Sequence, residues 1–212
     1  RIAAGRADHR TANEPQRPEA IGQPLMAQRL LVVAHAPTAP SIALIFGDQG
    51  EPHTREIRRL NGRVAAWLSG PEKACQVTAV CLGGEAEPVP ELHECDFGAW
   101  TGRTLVDVAL DDSSALDTWL HDAHATPHGG ESLAELINRV GRVLDDHPWP
   151  EGRSVVVVSP LVARAAAVHA LGASPKVIFH IDIAPLGRLL ISRRAPIWRL
   201  QALTATPKER LS

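Results

Sequence analysis

Apolar residues occur along the chain in short uninterrupted runs and in longer stretches where they recur every three or four positions. Two runs, Leu30–Val33 and Val155–Val158, contain aliphatic residues without a polar break. Such runs are typical of parallel strands that are buried on both faces of a sheet. A weak strand is predicted at Val77–Cys81, and three further strands are predicted at Ile178–Ile183, Leu189–Ser192 and Trp198–Leu203.

Stretches with helical spacing separate these strands. One helix is predicted over residues 54–69, where the apolar positions form one stripe before Gly70 and Pro71. The arginines of this stretch are expected to form a solvated face. Another helix is predicted over residues 162–171, closed by Gly172.

Two capping boxes mark further helix starts. Thr104 is followed three residues later by Asp107, and Ser132 is followed three residues later by Glu135. In this motif each of the two side chains satisfies a backbone N–H of the first helical turn. The second box opens the clearest amphipathic pattern in the chain.

The alternation of strands and helices predicts an α/β fold, a three-layer α/β/α sandwich around a mostly parallel central sheet. Sites in such folds gather at the carboxyl ends of the strands, which here carry His35 and Ser159. One domain is predicted over residues 26–212. Residues 1–25 have scattered Arg, Pro and Gln without apolar periodicity, so we expect a flexible or arm-like tail.

Composition and charge narrow the function classes. The chain of 212 residues is 44% hydrophobic and 22% charged with a net charge of −2, which is typical of globular domains and does not favour nucleic-acid binding. No apolar run reaches the length of a membrane span, so we expect no membrane association. The sparse, odd number of cysteines suits a reducing cytoplasm, which is the expected location. The three cysteines have no zinc-like spacing, and neither a metal nor a cofactor is expected.

Several motifs occur in an order that is typical of one family. His-Ala-Pro-Thr at 35–38 follows the first strand, Leu-His-Glu-Cys-Asp-Phe-Gly-Ala-Trp-Thr-Gly occupies 92–102, and Gly-Gly-Glu-Ser at 129–132 precedes the clearest helix. Together these segments resemble the histidine phosphatase superfamily. The resemblance implies a phosphoglycerate mutase-like fold and phosphoryl transfer through a phosphohistidine.

The resemblance also implies roles for individual residues. His35 matches the phosphoryl acceptor and Glu94 matches the proton donor. The family holds phosphate with two arginines and a second histidine. Alanines stand at the first two positions, Ala34 and Ala74, although a shift of one residue would bring Lys73 near the site. The second histidine is replaced by Pro160 or deleted.

The missing cations have an energetic consequence. A charge-assisted hydrogen bond contributes about 1.5–3 kcal/mol. Loss of three such partners therefore costs about 4.5–9 kcal/mol, on the order of 10³ to 10⁶ in rate or affinity. Ordinary phosphatase activity is not expected from such a site.

Three hypotheses remain open. The leading one is a catalytically impaired, phosphatase-like scaffold that binds a weakly anionic small molecule or a protein. The second is an enzyme that uses His35 and Glu94, either as a phosphomonoesterase on a small metabolite or in another acid–base reaction. The third is a dimerising companion of an active paralogue, and a homodimer is possible. The candidate substrate-binding residues are Thr38, Arg103, Ser132, Ser159 and Arg164.

Overall fold

A computed structural model describes residues 28–47, 50–194 and 196–205. The tail predicted at residues 1–25 lies outside these ranges. The described chain forms one six-stranded sheet with helices on both faces. The strands are β1 (Gln28–Ala34), β2 (Ala66–Ser69), β3 (Glu87–Pro88), β4 (Arg153–Val158), β5 (Arg188–Arg194) and β6 (Ile197–Thr204).

The sheet is mostly parallel, as the sequence predicts. Its strand order is β3-β2-β4-β1-β5-β6. The pairs β3–β2, β2–β4 and β4–β1 are parallel, whereas β5 and β6 are added antiparallel at one side. The two most apolar strands, β1 and β4, lie at the centre, where Ala34 pairs with Val158 at their carboxyl ends.

Within the described ranges, six α-helices and four short 3₁₀ turns accompany the sheet. The helices are α1 (Ala39–Ile42), α2 (Lys73–Leu82), α3 (Leu105–Asp111), α4 (Ser113–His121), α5 (Leu133–Asp146) and α6 (Pro160–Leu171). The 3₁₀ turns are Thr54–Glu56, Pro90–Leu92, Gly98–Trp100 and Pro175–His180. Helices α5 and α6 contribute to the larger hydrophobic cluster, and α2 contributes to a smaller one that includes Val33, Val155 and Val157.

The prediction of a helix over residues 54–69 is wrong. Only Thr54–Glu56 forms a 3₁₀ turn, and Ala66–Ser69 forms β2. Gly62 has a φ of +86°, which a continuing right-handed helix does not allow. The apolar stripe exists for another reason: Ile57, Leu60 and Val64 pack on the smaller cluster from an irregular segment.

The predictions of two strands are also wrong. The stretch Val77–Cys81 lies within α2, because one helical face of small residues, with Cys75 and Ala79, packs on the sheet and overrides β propensity. The stretch Ile178–Ile183 overlaps the 3₁₀ turn Pro175–His180, where the apolar residues are buried in the larger cluster without joining the sheet. The remaining predicted strands match β5 and β6, and the predicted helix at 162–171 lies within α6.

Candidate active site

The candidate site lies where β1 and β4 end side by side. The backbone N–H of His35 donates to the carbonyl of Val158 at 2.8 Å, which fixes the loop after β1 against β4. His35 is 3% exposed, and its Nδ1 lies 2.7 Å from the carbonyl oxygen of Ala36. Because a carbonyl oxygen only accepts, Nδ1 carries the proton, and in the neutral ring the lone pair is on Nε2. This tautomer suits a nucleophile or a base.

His35 opens into a cavity of about 220 Å³. Of its fourteen lining residues, nine are apolar and four carry polar side chains. The polar ones are His35, Ser41, Glu94 and Arg164. We call this space the His35 cavity. Its composition differs from the cationic cage that a phosphoryl group requires.

Aromatic rings form much of the wall, and the sequence analysis did not anticipate them. Phe46 packs against Phe97 and Trp119 with ring centroids 5.0 and 5.8 Å apart, and Trp119 contacts Phe179 at 5.1 Å. All four rings line the His35 cavity. Only Trp119 lies in an α-helix among these four, on the buried side of α4 with Leu116, a local pattern that indicates burial but not the partner.

Arg164 is the sole arginine or lysine among the fourteen lining residues. It lies in the second turn of α6, and its Nη2 donates to Asp182 at 3.1 Å. The Asp182 carboxylate is 91% exposed, so this ion pair neutralises Arg164 only weakly. The buried Nε of Arg164 has no hydrogen-bond partner among the described residues. A polar ligand in the cavity therefore has one guanidinium available.

The other positions that the resemblance marks for cations remain without one. Ala34 and Ala74 are buried alanines. Lys73, which a shifted alignment would bring to the site, is 68% exposed in its side chain, pairs with Glu51 and does not line the cavity. Pro160 occupies the first turn of α6 where the resemblance places the second histidine.

Glu94 lines the same cavity as His35. Its Oε1 accepts the backbone N–H of Cys95 at 2.8 Å, and its own N–H donates to Glu72 at 2.7 Å. Burial, with the nearby Glu94 carboxylate adding to it, raises the pKa of the Cys95 thiol above its ordinary value. Cys95 is therefore a thiol at neutral pH and offers no thiolate to the site.

The four other predicted binding residues serve the backbone or pair elsewhere, and none lines the His35 cavity. Thr38, Ser132 and Ser159 are the N-caps of α1, α5 and α6, where each hydroxyl accepts a backbone N–H. Arg103 donates to the carbonyl of Asp107 and pairs with Asp111. Ligand binding by these four residues stays a prediction, whereas Ser41 joins the cavity without having been predicted.

His128 is a further buried histidine behind the aromatic wall. Its ring packs 5.0 Å from that of Trp100, and its Nδ1 accepts the N–H of Gly130 at 3.0 Å. Burial lowers the pKa of His128 below its ordinary value, so the ring is neutral at pH 7. Within the described residues, no three His, Cys, Asp or Glu side chains are grouped to hold a metal ion.

A comparison with family models decides the classification. The model of the histidine phosphatase superfamily, branch 1, matches residues 48–206. The chain belongs to this superfamily. The matched segment begins after His35, so the correspondence of His35 to the superfamily's histidine rests on its position after β1.

Curated relatives support this membership. The chain is 32% identical over 177 residues to bifunctional protein Rv2228c of Mycobacterium tuberculosis, with 74% of this chain and 49% of the relative covered. The chain thus spans about half the length of this relative. It is 26% identical over 169 residues to the glucosyl-3-phosphoglycerate phosphatase of the same species, with 71% and 76% covered.

Solved structures show the same fold. The native mycobacterial glucosyl-3-phosphoglycerate phosphatase has a TM-score of 0.70 at 22% identity, covering 84% of this chain and 99% of that one. The α-ribazole phosphatase from Shigella flexneri has a TM-score of 0.70 at 18% identity, covering 84% and 96%. The described helices include none that is long and apolar enough to cross a membrane.

Proposed function

We propose that this histidine phosphatase-like chain is catalytically impaired as a phosphatase and binds a small, largely apolar molecule in the His35 cavity. The observation that carries the proposal is the lining: nine apolar residues, one carboxylate and a single guanidinium, that of Arg164. A dianionic phosphomonoester needs several convergent cations. A ligand with an apolar body and one weakly anionic or hydrogen-bonding group needs only Arg164 and His35.

The aromatic wall supports the apolar part of this ligand. Phe46, Trp119 and Phe179 are held by mutual ring packing, so the cavity is rigid on that side. Small-molecule sites commonly combine such apolar walls with a few polar groups that fix orientation. Glu94 would favour a neutral or hydrogen-bond-donating group on the ligand near its carboxylate.

Two probes with the same aromatic body test the ligand class. Benzoate carries one negative charge and phenyl phosphate carries nearly two, so their relative affinities report the charge that the cavity prefers. We expect benzoate to bind more tightly in isothermal titration calorimetry. Tighter binding of phenyl phosphate would contradict the proposal. Arg164→Gln should weaken benzoate binding at least about tenfold, the loss of one charge-assisted hydrogen bond, whereas Arg103→Gln, at an arginine outside the cavity, should not.

The second candidate function is a phosphomonoesterase on a small phosphorylated metabolite. Its supporting observation is the tautomer of His35, whose Nε2 carries the lone pair. Nε2 would attack phosphorus as the P–O bond to the leaving group breaks, and Glu94 in its acid form would protonate the leaving oxygen. Water, deprotonated by Glu94, would then hydrolyse the phosphohistidine to release phosphate. Arg164 would then be the remaining phosphate ligand. The similarity to proteins named glucosyl-3-phosphoglycerate phosphatase and α-ribazole phosphatase also supports this alternative.

A screen of phosphomonoesters separates the two functions. We expect wild-type turnover of p-nitrophenyl phosphate and of small phosphorylated metabolites to equal that of His35→Ala. Turnover that is abolished in the variant would favour the phosphomonoesterase. The variant must keep the melting temperature of the wild type for the comparison to hold.

Location and assembly are proposals as well. All three cysteines, Cys75, Cys81 and Cys95, are free thiols, which supports a reducing compartment such as the cytoplasm. A homodimer or a protein partner is supported by exposed apolar residues beside the cavity mouth, Ile42 and Leu44. Size-exclusion chromatography with light scattering tests the dimer.

A further inference from the structure

A second groove lies on the α2 face of the sheet and shares no lining residue with the His35 cavity. It has a volume of about 710 Å³. Its floor consists of Leu31 and Leu190, which pair across β1 and β5, and Leu60 from the irregular segment closes one side. We call it the arginine groove, because five of its eleven lining residues are arginines, namely Arg29, Arg58, Arg59, Arg153 and Arg188.

The charge of this groove is unbalanced. Its eleven lining residues include no aspartate or glutamate. Arg29 and Arg153 are register partners across β1 and β4, so two guanidinium groups leave the sheet side by side. Like charges in proximity raise the free energy of the empty protein, and a bound anion relieves it.

The arginines are also spread along the sheet. Arg188 pairs with Val33, which lies four positions along β1 from Arg29. At 3.3 Å per residue, the backbone positions of Arg29 and Arg188 are about 13 Å apart along the sheet. A single compact anion such as inorganic phosphate does not reach both ends. An anion with several linked charges does.

The arginines divide into anchored and unengaged ones. Arg153 donates to the carbonyls of Asn61 and Gly62 at 2.6 and 3.4 Å, and its buried Nε has no partner among the described residues. The guanidinium of Arg59 lies against Gly83 at the carboxyl end of α2, a position that favours a cation. The remaining three arginines have no such anchor. The described residues supply no side-chain hydrogen bond or ion pair to Arg29, Arg58 or Arg188.

The chain's own adjoining segments do not complement this charge. Residues 1–27, which precede β1, contain four arginines against three acids, and residues 206–212, which follow β6, contain Lys208 and Arg210 against Glu209. Both segments are therefore net positive. An external anion fits the groove better than either of them.

We propose that the arginine groove binds a polyphosphorylated small molecule with an apolar body, of the nucleoside triphosphate class. Guanidinium groups bind phosphate oxygens in a bidentate manner and retain their charge at any physiological pH. The leucine floor offers an apolar surface to the organic body. The volume lies within the range of small-molecule sites. This site is independent of the function proposed for the His35 cavity.

Calorimetric titration with ATP, tripolyphosphate and adenosine in the presence of EDTA tests the site. We expect ATP to bind with a Kd below 1 mM and more tightly than tripolyphosphate, and adenosine to bind least. Binding should weaken between 50 and 300 mM NaCl because the contacts are ionic. Failure of ATP to bind at 1 mM would overturn the proposal. Equal affinities for ATP and tripolyphosphate would also overturn it, because the leucine floor would then contribute nothing to binding.

Matched variants locate the binding. The double variant Arg29→Gln/Arg188→Gln removes two unengaged guanidinium groups and should raise the Kd for ATP at least tenfold. Arg142→Gln, on α5 across the sheet, is the control and should leave the Kd unchanged. Equal losses in both proteins would show non-specific attraction and refute the site. Benzoate should not displace ATP, which separates this result from any result at the His35 cavity.

Discussion

His35 and Arg164 line the same apolar cavity from two neighbouring elements, the loop after β1 and the second turn of α6. In the phosphatase chemistry that the superfamily resemblance implies, a histidine would face a cage of cations. Here, Arg164 supplies the one guanidinium, and its exposed partner Asp182 offsets little of that charge. The relationship leaves His35 in mainly apolar surroundings, which is the basis for proposing a weakly charged ligand.

Replacing Pro160 tests whether the missing histidine limits catalysis. Proline at the first helical turn needs no N–H partner, so Pro160→His should fold with little loss of stability. If His35 is chemically competent, the added imidazole should raise kcat/KM for p-nitrophenyl phosphate about tenfold or more over the wild type, at pH 6, where it is cationic. Pro160→Gln is the control for the change in helix start. An unchanged rate in Pro160→His would indicate that the lost arginines dominate.

The burial of His128 should make the stability of the fold depend on pH. Burial lowers its pKa in the folded protein, so the unfolded chain takes up a proton first as the pH falls. The stabilisation is present above the unfolded pKa, near 6.5 for histidine, and is lost as the pH falls from there towards the folded pKa. Denaturant unfolding at pH 7.5, 6.5 and 5.5 should show this decline in the wild type.

The variant His128→Gln tests whether the decline in unfolding free energy at low pH comes from His128. His128→Gln should flatten the change in unfolding free energy between pH 7.5 and 5.5, whatever its effect at a single pH. The exposed His180, to which the described residues supply no side-chain hydrogen bond or ion pair, provides the comparison, since His180→Gln should leave the slope as in the wild type. A slope that persists in His128→Gln would contradict the assignment.

Loss of the capping box at α5 should destabilise the fold. The hydroxyl of Ser132 accepts the N–H of Glu135 at 3.2 Å and the Glu135 carboxylate accepts the N–H of Ser132 at 2.9 Å. Ser132→Ala should therefore lower the unfolding free energy by about 1 kcal/mol. Urea unfolding measures it, with the exposed Ser114→Ala as the control. An equal effect in both variants would refute a capping role.

Truncation of the aromatic wall should lower the unfolding free energy more than loss of the capping box does. Phe46 is 8% exposed and contacts three aromatic rings, so Phe46→Ala should destabilise by about 3–5 kcal/mol. Benzoate affinity should fall at the same time, because the cavity loses a wall. Leu110→Ala, at an 81% exposed position, should change neither quantity. Wild-type-like stability of Phe46→Ala would contradict the packing described for the cavity.

The sequence predicts those parts of the fold that depend on local pattern. The central strands and both capping boxes are specified by runs or motifs of four residues. Residues 54–69 mislead because an i, i+3, i+4 apolar stripe also fits an irregular segment lying on a sheet, and Gly62 breaks the helix. The α2 stretch at Val77–Cys81 misleads because packing decides between strand and helix there.

The candidate site is predictable only in part. His35 and Glu94 are placed by the superfamily resemblance, and the structure brings them to one cavity. The aromatic wall comes from Phe46, Trp119 and Phe179, which are far apart in the chain and meet through tertiary packing that no local pattern encodes. Arg164 stood among several candidate cations, and only the course of α6 distinguishes it from Arg103.

The burial of Cys95 has a practical consequence for chemical labelling. Its thiol resists deprotonation, and Cys75 is fully buried against the sheet, so neither should react with iodoacetamide in the native protein. Cys81 is the partly exposed thiol. The wild-type sequence thus offers a single attachment point on α2 for a fluorophore or spin label, without any cysteine having to be removed.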